Sequence, residues 1–489
     1  MHELPLAITG MSPAQNAMLA DLRAVLPPPA IVTDRALIAP WEVDWRRRFA
    51  GTAPALLAPA TTAEVQAIVR AAARHRVPLV AQGGNSSMVG GATPPADGGV
   101  LLLSLRRLDA VRRIDAEAGL AMVEAGVVLQ RLHEAALDRG VRFPLTLGAR
   151  GNATVGGLVS TNAGGTQVLR FGTMRGLTLG VEAVLADGSV HDGLQALPKD
   201  NRGYDLDQLL IGAEGTLGIV TAATLRLVPA AGSRTVAWAG VADPAAGLAL
   251  LRRFQRATDA VESFEIIPAG TLAAALAHLP GARPPLAGAH AWHLLIEATA
   301  PTGAEPPTAT IEQVLAVAID DGLVADATIA ASEAQAEAFW ALRHALSDAE
   351  RARGPAAQHD IAVPVAAMPR FMEEAAAACE ARFPGTRASG FGHLGDGNIH
   401  FHVRAPAGAD PARWYAEQAP AISGFVHDLV TAAGGTISAE HGIGQMKAGE
   451  LARLLPPGDL AAMRAIKHAL DPLGLFNPGK LLAPVSTAA

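Results

Sequence analysis

Gly148-Ala-Arg-Gly151-Asn-Ala-Thr154-Val-Gly156-Gly157, continuing through Ser160-Thr-Asn162-Ala-Gly164-Gly165, places six glycines in eighteen residues. Glycine inside a regular element costs roughly 0.5–1 kcal/mol relative to alanine, so packing does not account for such a run. Thr and Asn interleaved with glycine instead suit a backbone that comes close to a ligand. Upstream, the apolar run Val77-Pro-Leu-Val-Ala81 leads through Gln82 into Gly83-Gly84-Asn85-Ser86-Ser87, where small residues let N–H groups turn toward an anion. Downstream, Gly212-Ala-Glu214-Gly215-Thr-Leu-Gly218-Ile219-Val220 is a turn feeding a strand. Each loop alone is ordinary. Three of them between 83 and 220 argue for one dinucleotide site. None has the G-x-G-x-x-G spacing that opens a Rossmann helix, so a nicotinamide site of that kind is not expected.

The texture around these loops is α/β. Thr61 and Glu64 have capping-box spacing, and Val65, Ile68, Val69 and Ala72 give the following helix an apolar face. Strands are expected over 77–81, 100–105 and 121–127, a helix over 130–139, and a hairpin at Asp187-Gly188. Residues 1–50 read as a helical lead-in with Leu19, Leu22 and Leu26 at helical spacing, broken at Pro27-Pro28-Pro29. After Pro229 the pattern restarts. Asp243-Pro244 caps a helix, Ser332 precedes a long helix over 333–353, and the stretch from about 445 is helical. The expected division is a lead-in at 1–50, a nucleotide domain at 51–230, an α+β substrate domain at 231–444 and a helical C-terminal segment at 445–489 that returns to the nucleotide domain.

At 489 residues the chain exceeds one core, and with half its residues hydrophobic and 17% charged it is globular. A net charge of −7 gives no electrostatic footprint for nucleic acid. The single cysteine, Cys379, cannot form an internal disulfide, and Glu3 stands where a targeting signal wants a cation. Without an apolar run of about 18 residues, no transmembrane segment is expected. The expectation is a cytoplasmic protein with at most peripheral membrane contact.

A second constellation lies far downstream. Gly392-His393-Leu-Gly-Asp-Gly-Asn398-Ile-His400 sets two imidazoles seven residues apart across a glycine turn, and Ser438-Ala-Glu440-His441-Gly-Ile-Gly444 adds a carboxylate beside a third imidazole. Two imidazoles and a carboxylate suit a catalytic divalent metal such as zinc, with manganese the alternative.

The glycine loops in this order, over about 54–228, resemble the FAD-binding domain of the vanillyl-alcohol oxidase/PCMH flavoprotein superfamily. With 392–400, 438–444 and Asn477-Pro-Gly-Lys480, nearly the whole chain after residue 40 resembles the FAD-linked D-2-hydroxyacid dehydrogenases, which act on D-lactate, glycolate or D-2-hydroxyglutarate. The resemblance implies a PCMH-type FAD domain, an α+β cap domain and a small helical C-terminal segment. It implies cofactor contacts from Gly83, Gly84, Asn85, Ser86, Ser87, Gly148, Gly151, Thr154, Gly157, Asn162, Gly164, Gly165, Glu214, Gly218, Ile219, Val220 and Asn477. Residues 82–87 hold neither His nor Cys, so non-covalent FAD is expected. It further implies His393, His400 and Glu440 as metal ligands, His441 as the catalytic base, Arg343 as the carboxylate anchor, and Ser347 and Asn398 near the substrate. Gln358-His-Asp-Ile-Ala-Val-Pro364 is most similar to the D-2-hydroxyglutarate branch. Two positions depart from it: Gln358 replaces a frequent Lys, and His402 replaces a frequent Asn. The expected reaction is oxidation of a D-2-hydroxy acid, D-2-hydroxyglutarate first and D-lactate or glycolate as alternatives, with electrons passing to an electron-transfer flavoprotein or a quinone. A homodimer is left open. A zinc hydrolase and a non-catalytic flavin-fold subunit are the rival classes. Flavin colour tests the first, and the presence of both Arg343 and His441 counts against the second.

Overall fold

The computed structural model describes residues 10–197 and 199–484. The targeting argument from Glu3 falls outside them. The chain forms two compact units: 1–163 with 173–228 and 441–489, and 164–172 with 229–440. The expected nucleotide and substrate domains were unbroken stretches at 51–230 and 231–444, whereas these units interleave. The excursion 164–172 belongs with the second, and the chain passes back to the first between Glu440 and His441. Strands and helices mix in each, an α+β architecture.

The first unit holds two main sheets. One has four strands in the order Ile31–Val32, Leu56–Leu57, Leu101–Ser104, Leu79–Gln82, its last two pairings parallel. The other has five antiparallel strands in the order Val111–Asp115, Leu120–Glu124, Ile219–Arg226, Thr178–Val184, Val190–Asp192. The helix Thr62–His75 buries Val65, Ile68, Val69 and Ala72 against Leu79, Leu101 and Leu103, the face its periodicity predicts. Thr61 caps it by accepting from the Glu64 amide, while the Glu64 carboxylate accepts from Ala60 N–H, one residue before the capping-box position. The lead-in is less helical than its leucine spacing suggests. Pro13–Arg23 is its longest helix, and beyond the prolines Ile31–Val32 pairs with Leu56–Leu57 as an edge strand.

The second unit is organised by a seven-stranded antiparallel sheet. Its order is Asp326–Ile329, Ala231–Val241, Trp292–Pro301, Val261–Pro268, Arg387–His393, Asn398–Arg404, Ala356–Ala362. Side chains alternate across it. Phe264, Ile266, Ile361, Ile399, Phe401 and Val403 face one way into a core with Phe254, Phe371, Met372 and Val426 from three helices. Cys379 lies in that core, and burial pushes its thiol up to about 12, which keeps it protonated. The opposite face carries Phe391, which joins Leu342 and Leu346 of the helix Glu333–Ala352 in a second apolar cluster. Among the described residues no helix is long and apolar enough to cross a membrane.

Candidate active site

Within the first unit the three glycine loops meet. A Cβ on Gly84 would lie 1.7 Å from the Asn152 carbonyl oxygen, and one on Gly83 2.1 Å from the Thr154 side-chain Oγ1, so the backbone of the first loop abuts the second. The third joins them through Gly212 N–H donating to Val159 O (3.0 Å) and Glu214 N–H to Ser160 O (2.7 Å). Asn85, Asn162, Glu214 and Asn477 all have positive φ, between 45° and 53°, a left-handed backbone that, glycine aside, asparagine tolerates well and glutamate does not. Asn477 locks the terminal motif in place: its Oδ1 accepts from Ala81 N–H and its Nδ2 donates to Glu214 O. The Glu214 carboxylate accepts from Ile443 and Gly444 N–H, both at 2.7 Å. Ser87 Oγ accepts from Gly91 N–H, and Ile219 and Val220 are buried at the start of their strand. Gly218 fits against Leu210.

Other glycines are open. A Cβ on Gly148 would meet nothing within 4 Å, and one on Gly151 only Gln130 Oε1 at 3.8 Å. Thr154 Oγ1, beside Gly83 and Gly157, is buried without a hydrogen-bond partner among the described residues. Open backbone beside an orphaned hydroxyl fits a polar cofactor seated on main chain, as FAD would be. Gly164 and Gly165 are counted with the second unit and are not part of this assembly. Helix Val155–Thr161 interrupts the long loop, with Gly156 against Ala125.

In the second unit, strand register gathers the downstream motif. Glu265 pairs with His393, His393 with Asn398, His400 with Asp360, and His402 with Gln358, all on one sheet face. One ligand atom each from His393, His400 and Glu440 can be chosen so that all lie within 4.8 Å of one another. His393 Nδ1 lies 2.6 Å from Glu265 Oε1, which leaves Nε2, 3.8 Å from a Glu440 oxygen, as a lone-pair donor. A carboxylate behind a ligating imidazole is the arrangement that fixes tautomer and raises basicity. This donor set fits a divalent metal.

Glu265 also accepts from Arg343 Nε at 2.6 Å, so one buried carboxylate orients both Arg343 and His393. Burial pushes that carboxyl up, but Arg343 and His393 outweigh it and hold it at about 2. Burial likewise opposes charge on His393, and the Glu265 charge overrides it, raising the imidazole to about 9 in the metal-free chain. Glu440 is pushed above the usual carboxylate range, chiefly by burial. Its N–H donates to Asp360 Oδ2, whose other oxygen accepts from Asn398 Nδ2, both at 2.9 Å. Asn398 is therefore positioned to brace the ligand loops. Ser347 is half-buried one helical turn beyond Arg343. His441 falls in the chain segment of the first unit.

Glu265 and Asp360 were not singled out from sequence. The available signal was a charge inside the apolar run Val261-Glu-Ser-Phe-Glu-Ile-Ile267, since a carboxylate is almost never buried unless paired.

Residues 231–481 match the C-terminal domain of the FAD-linked oxidases, and 53–193 match the FAD-binding domain. The chain is 37% identical over 470 residues to the mitochondrial D-2-hydroxyglutarate dehydrogenase of Bos taurus, covering 95% of this chain and 83% of that one. It is 35% identical over 463 residues to the D-2-hydroxyglutarate dehydrogenase of Xanthomonas citri pv. viticola, covering 95% and 96%. Among solved structures it resembles p-cresol methylhydroxylase with substrate bound, at TM-score 0.74, 16% identity and coverage of 98% and 99%. An alkyldihydroxyacetonephosphate synthase follows at TM-score 0.72, 15% identity and coverage of 97% and 87%.

Proposed function

Since the chain belongs to the FAD-linked D-2-hydroxyacid dehydrogenase family, an oxidoreductase family acting on CH–OH donors, we propose that it oxidises a D-2-hydroxy acid to the 2-oxo acid with metal assistance. The observation that carries this reading is the shared buried carboxylate: Glu265 holds Arg343 and His393 together, one to bind a carboxylate and the other to bind a metal. D-2-hydroxyglutarate is within the proposed substrate range, with D-lactate and glycolate beside it.

Arg343, its Nε committed to Glu265 and its Nη2 3.4 Å from His393 Nε2, offers its guanidinium charge and its Nη1 to the C1 carboxylate. His393, His400 and Glu440 would hold the metal, zinc or manganese, which as a Lewis acid lowers the pKa of the C2 hydroxyl. His441, next in the chain to Glu440, takes the hydroxyl proton. The backbone of the glycine loops would hold FAD non-covalently, and FAD would supply the two-electron acceptor for the C2 hydride. Asn398 and Asp360 keep Glu440 in place throughout. An electron-transfer flavoprotein or a quinone would take the electrons onward.

The test is anaerobic bleaching of the flavin by a panel of D- and L-2-hydroxy acids. Bleaching by D acids alone supports the reading. A yellow protein bleached by none of them, or active in a metal-free state, sinks it.

A further inference from the structure

Glu214 stands between Gly212 and Gly215 and carries its side chain on a left-handed backbone, with φ at 52°. Glycine would adopt that conformation freely, whereas a glutamate there is strained. Strain of this kind persists where the surroundings over-determine a residue, and it points to a use for the side chain. The backbone is held at both ends. Its N–H donates to Ser160 O at 2.7 Å in the second glycine loop, and its carbonyl accepts from Asn477 Nδ2 at 2.6 Å.

The carboxylate, in a residue 8% exposed, takes a different partner. Oε1 accepts from Ile443 N–H and Oε2 from Gly444 N–H, both at 2.7 Å. Two consecutive N–H groups in a turn with left-handed glycines at 442 and 444 make a concave donor pair that captures anions. Such a pair can hold a phosphate; here the chain's own carboxylate occupies it. A Cβ on Gly442 would lie 2.9 Å from Glu214 Oε1, so the turn leaves room for that carboxylate. Burial pushes the carboxyl up, and the two N–H groups with the Lys447 charge oppose it.

The far end of this turn has ties of its own. Gln445 and Met446 N–H donate to Val89 O, both at 3.2 Å, and Gln445 Nε2 donates to Gly90 O at 2.9 Å. His441, the proposed base, stands two residues before Ile443. Loss of the Glu214 carboxylate should therefore displace the His441 end while the 445–446 end stays tied. A displacement of about 1 Å at a reacting group can cost about a hundredfold in rate.

We infer that Glu214 is a positioning residue for the base. Its backbone is fixed among the glycine loops, and its carboxylate holds the turn that carries His441. It thereby sets the base against the same loops that would seat the flavin. This rests on the functional reading above, and it gives Glu214 a role other than the cofactor contact implied by family resemblance.

Amide hydrogen exchange over 441–446, read by mass spectrometry, needs neither a variant nor a substrate. Ile443 and Gly444 should be equally protected in apoprotein and in FAD-loaded enzyme. Protection of these two that appears only with FAD, against an otherwise unchanged exchange pattern, overturns the inference, because the cofactor then caps them. Glu214→Gln sets an amide N–H against one of these donors. It should open both backbone amides and leave the FAD dissociation constant unchanged. The limiting rate of anaerobic flavin reduction by a D-2-hydroxy acid should fall about tenfold to a hundredfold, with the acid's own dissociation constant unmoved. In a His441→Gln enzyme the same substitution should add little, since the group it positions is gone. Equal losses in both backgrounds overturn the inference. So does weakened FAD binding with a normal rate at saturating FAD. If Glu214→Gln does not fold, the exchange comparison on the native protein decides. A native flavin that no D-2-hydroxy acid reduces overturns the functional reading, and the role of Glu214 with it.

Discussion

In the first unit the loops at 83–87, 148–163 and 212–218 meet through main chain: Gly84 on the Asn152 carbonyl, Gly212 on Val159, Glu214 on Ser160. In the second, the working groups meet through side chains projected from one sheet face, with Glu265 holding Arg343 on one oxygen and His393 on the other. A cradle of backbone is specified by what is absent, namely side chains in the way. An ionic cluster is specified by what is present. Substitutions should therefore fail differently in the two units, and that difference is testable.

The largest effect should come from the proposed metal ligands. His393→Ala, His400→Ala and Glu440→Ala each remove one of three donors, and a Lewis acid supplies several kcal/mol of transition-state stabilisation. Turnover should fall by about a thousandfold or more. Flavin content should not change, since these residues lie outside the glycine loops. Metal content by mass spectrometry and FAD absorbance on the same samples check both halves. Loss of FAD along with activity would erase the distinction between the two units.

Glu265→Gln should have the next largest effect. The amide cannot neutralise Arg343, and it supports the His393 imidazole less well. Loss of such a supporting carboxylate costs roughly 10- to 100-fold in metal affinity or activity. The expected signature is weaker metal binding together with a raised KM for the hydroxy acid, because one residue orients both partners. If only one of the two parameters moves, the shared-carboxylate account is wrong.

These two regions were unequally legible. Glycine loops are local, so 83–87 and 148–163 stand out in the sequence directly, and the short motifs carrying His393, His400 and Glu440, which the structure groups together, do so too. Glu265 does not. Its importance comes from register, Glu265 opposite His393 across 128 residues of chain, and register is a tertiary fact. The interleaving of 164–172 with the second unit was equally invisible. Arg170 and Gln167 find the buried Glu262 there, and nothing in a local pattern announces that pairing.

Buried ionisable groups also make the second unit sensitive to acid. His293 lies within the sheet, its Nδ1 accepting from Trp238 Nε1–H at 3.1 Å, and burial with the neighbouring His290 pushes it down to about 4. In the unfolded chain the imidazole titrates near 6.5. Between these values the unfolded state binds the extra proton. The stabilisation is therefore complete above about pH 6.5 and is lost as pH falls toward 4, by on the order of 3 kcal/mol. His293→Gln keeps an acceptor for Trp238 and does not titrate. Its Tm should fall less than the native protein's between pH 6.5 and 4, measured by calorimetry. Parallel curves would show that His293 does not carry this dependence.

The smallest effect discriminates most finely, because it separates folding from cofactor binding inside the first unit. Gly84→Ala must push a Cβ against the Asn152 carbonyl, 1.7 Å away, and should cost about 1–3 kcal/mol of stability through strain. At Gly148 the added methyl meets no protein atom within 4 Å, and the backbone there is not left-handed. Folding should be unaffected, or improved by about 0.4–1 kcal/mol because alanine restricts the unfolded chain. If Gly148 is kept open for FAD rather than for packing, Gly148→Ala should leave the apoprotein Tm unchanged or slightly higher and yet raise the FAD dissociation constant several-fold. Titrating FAD into apoprotein by fluorescence quenching gives that constant directly. Unaltered FAD affinity in Gly148→Ala, beside a destabilised Gly84→Ala, would mean that the glycine run serves the joining of loops alone.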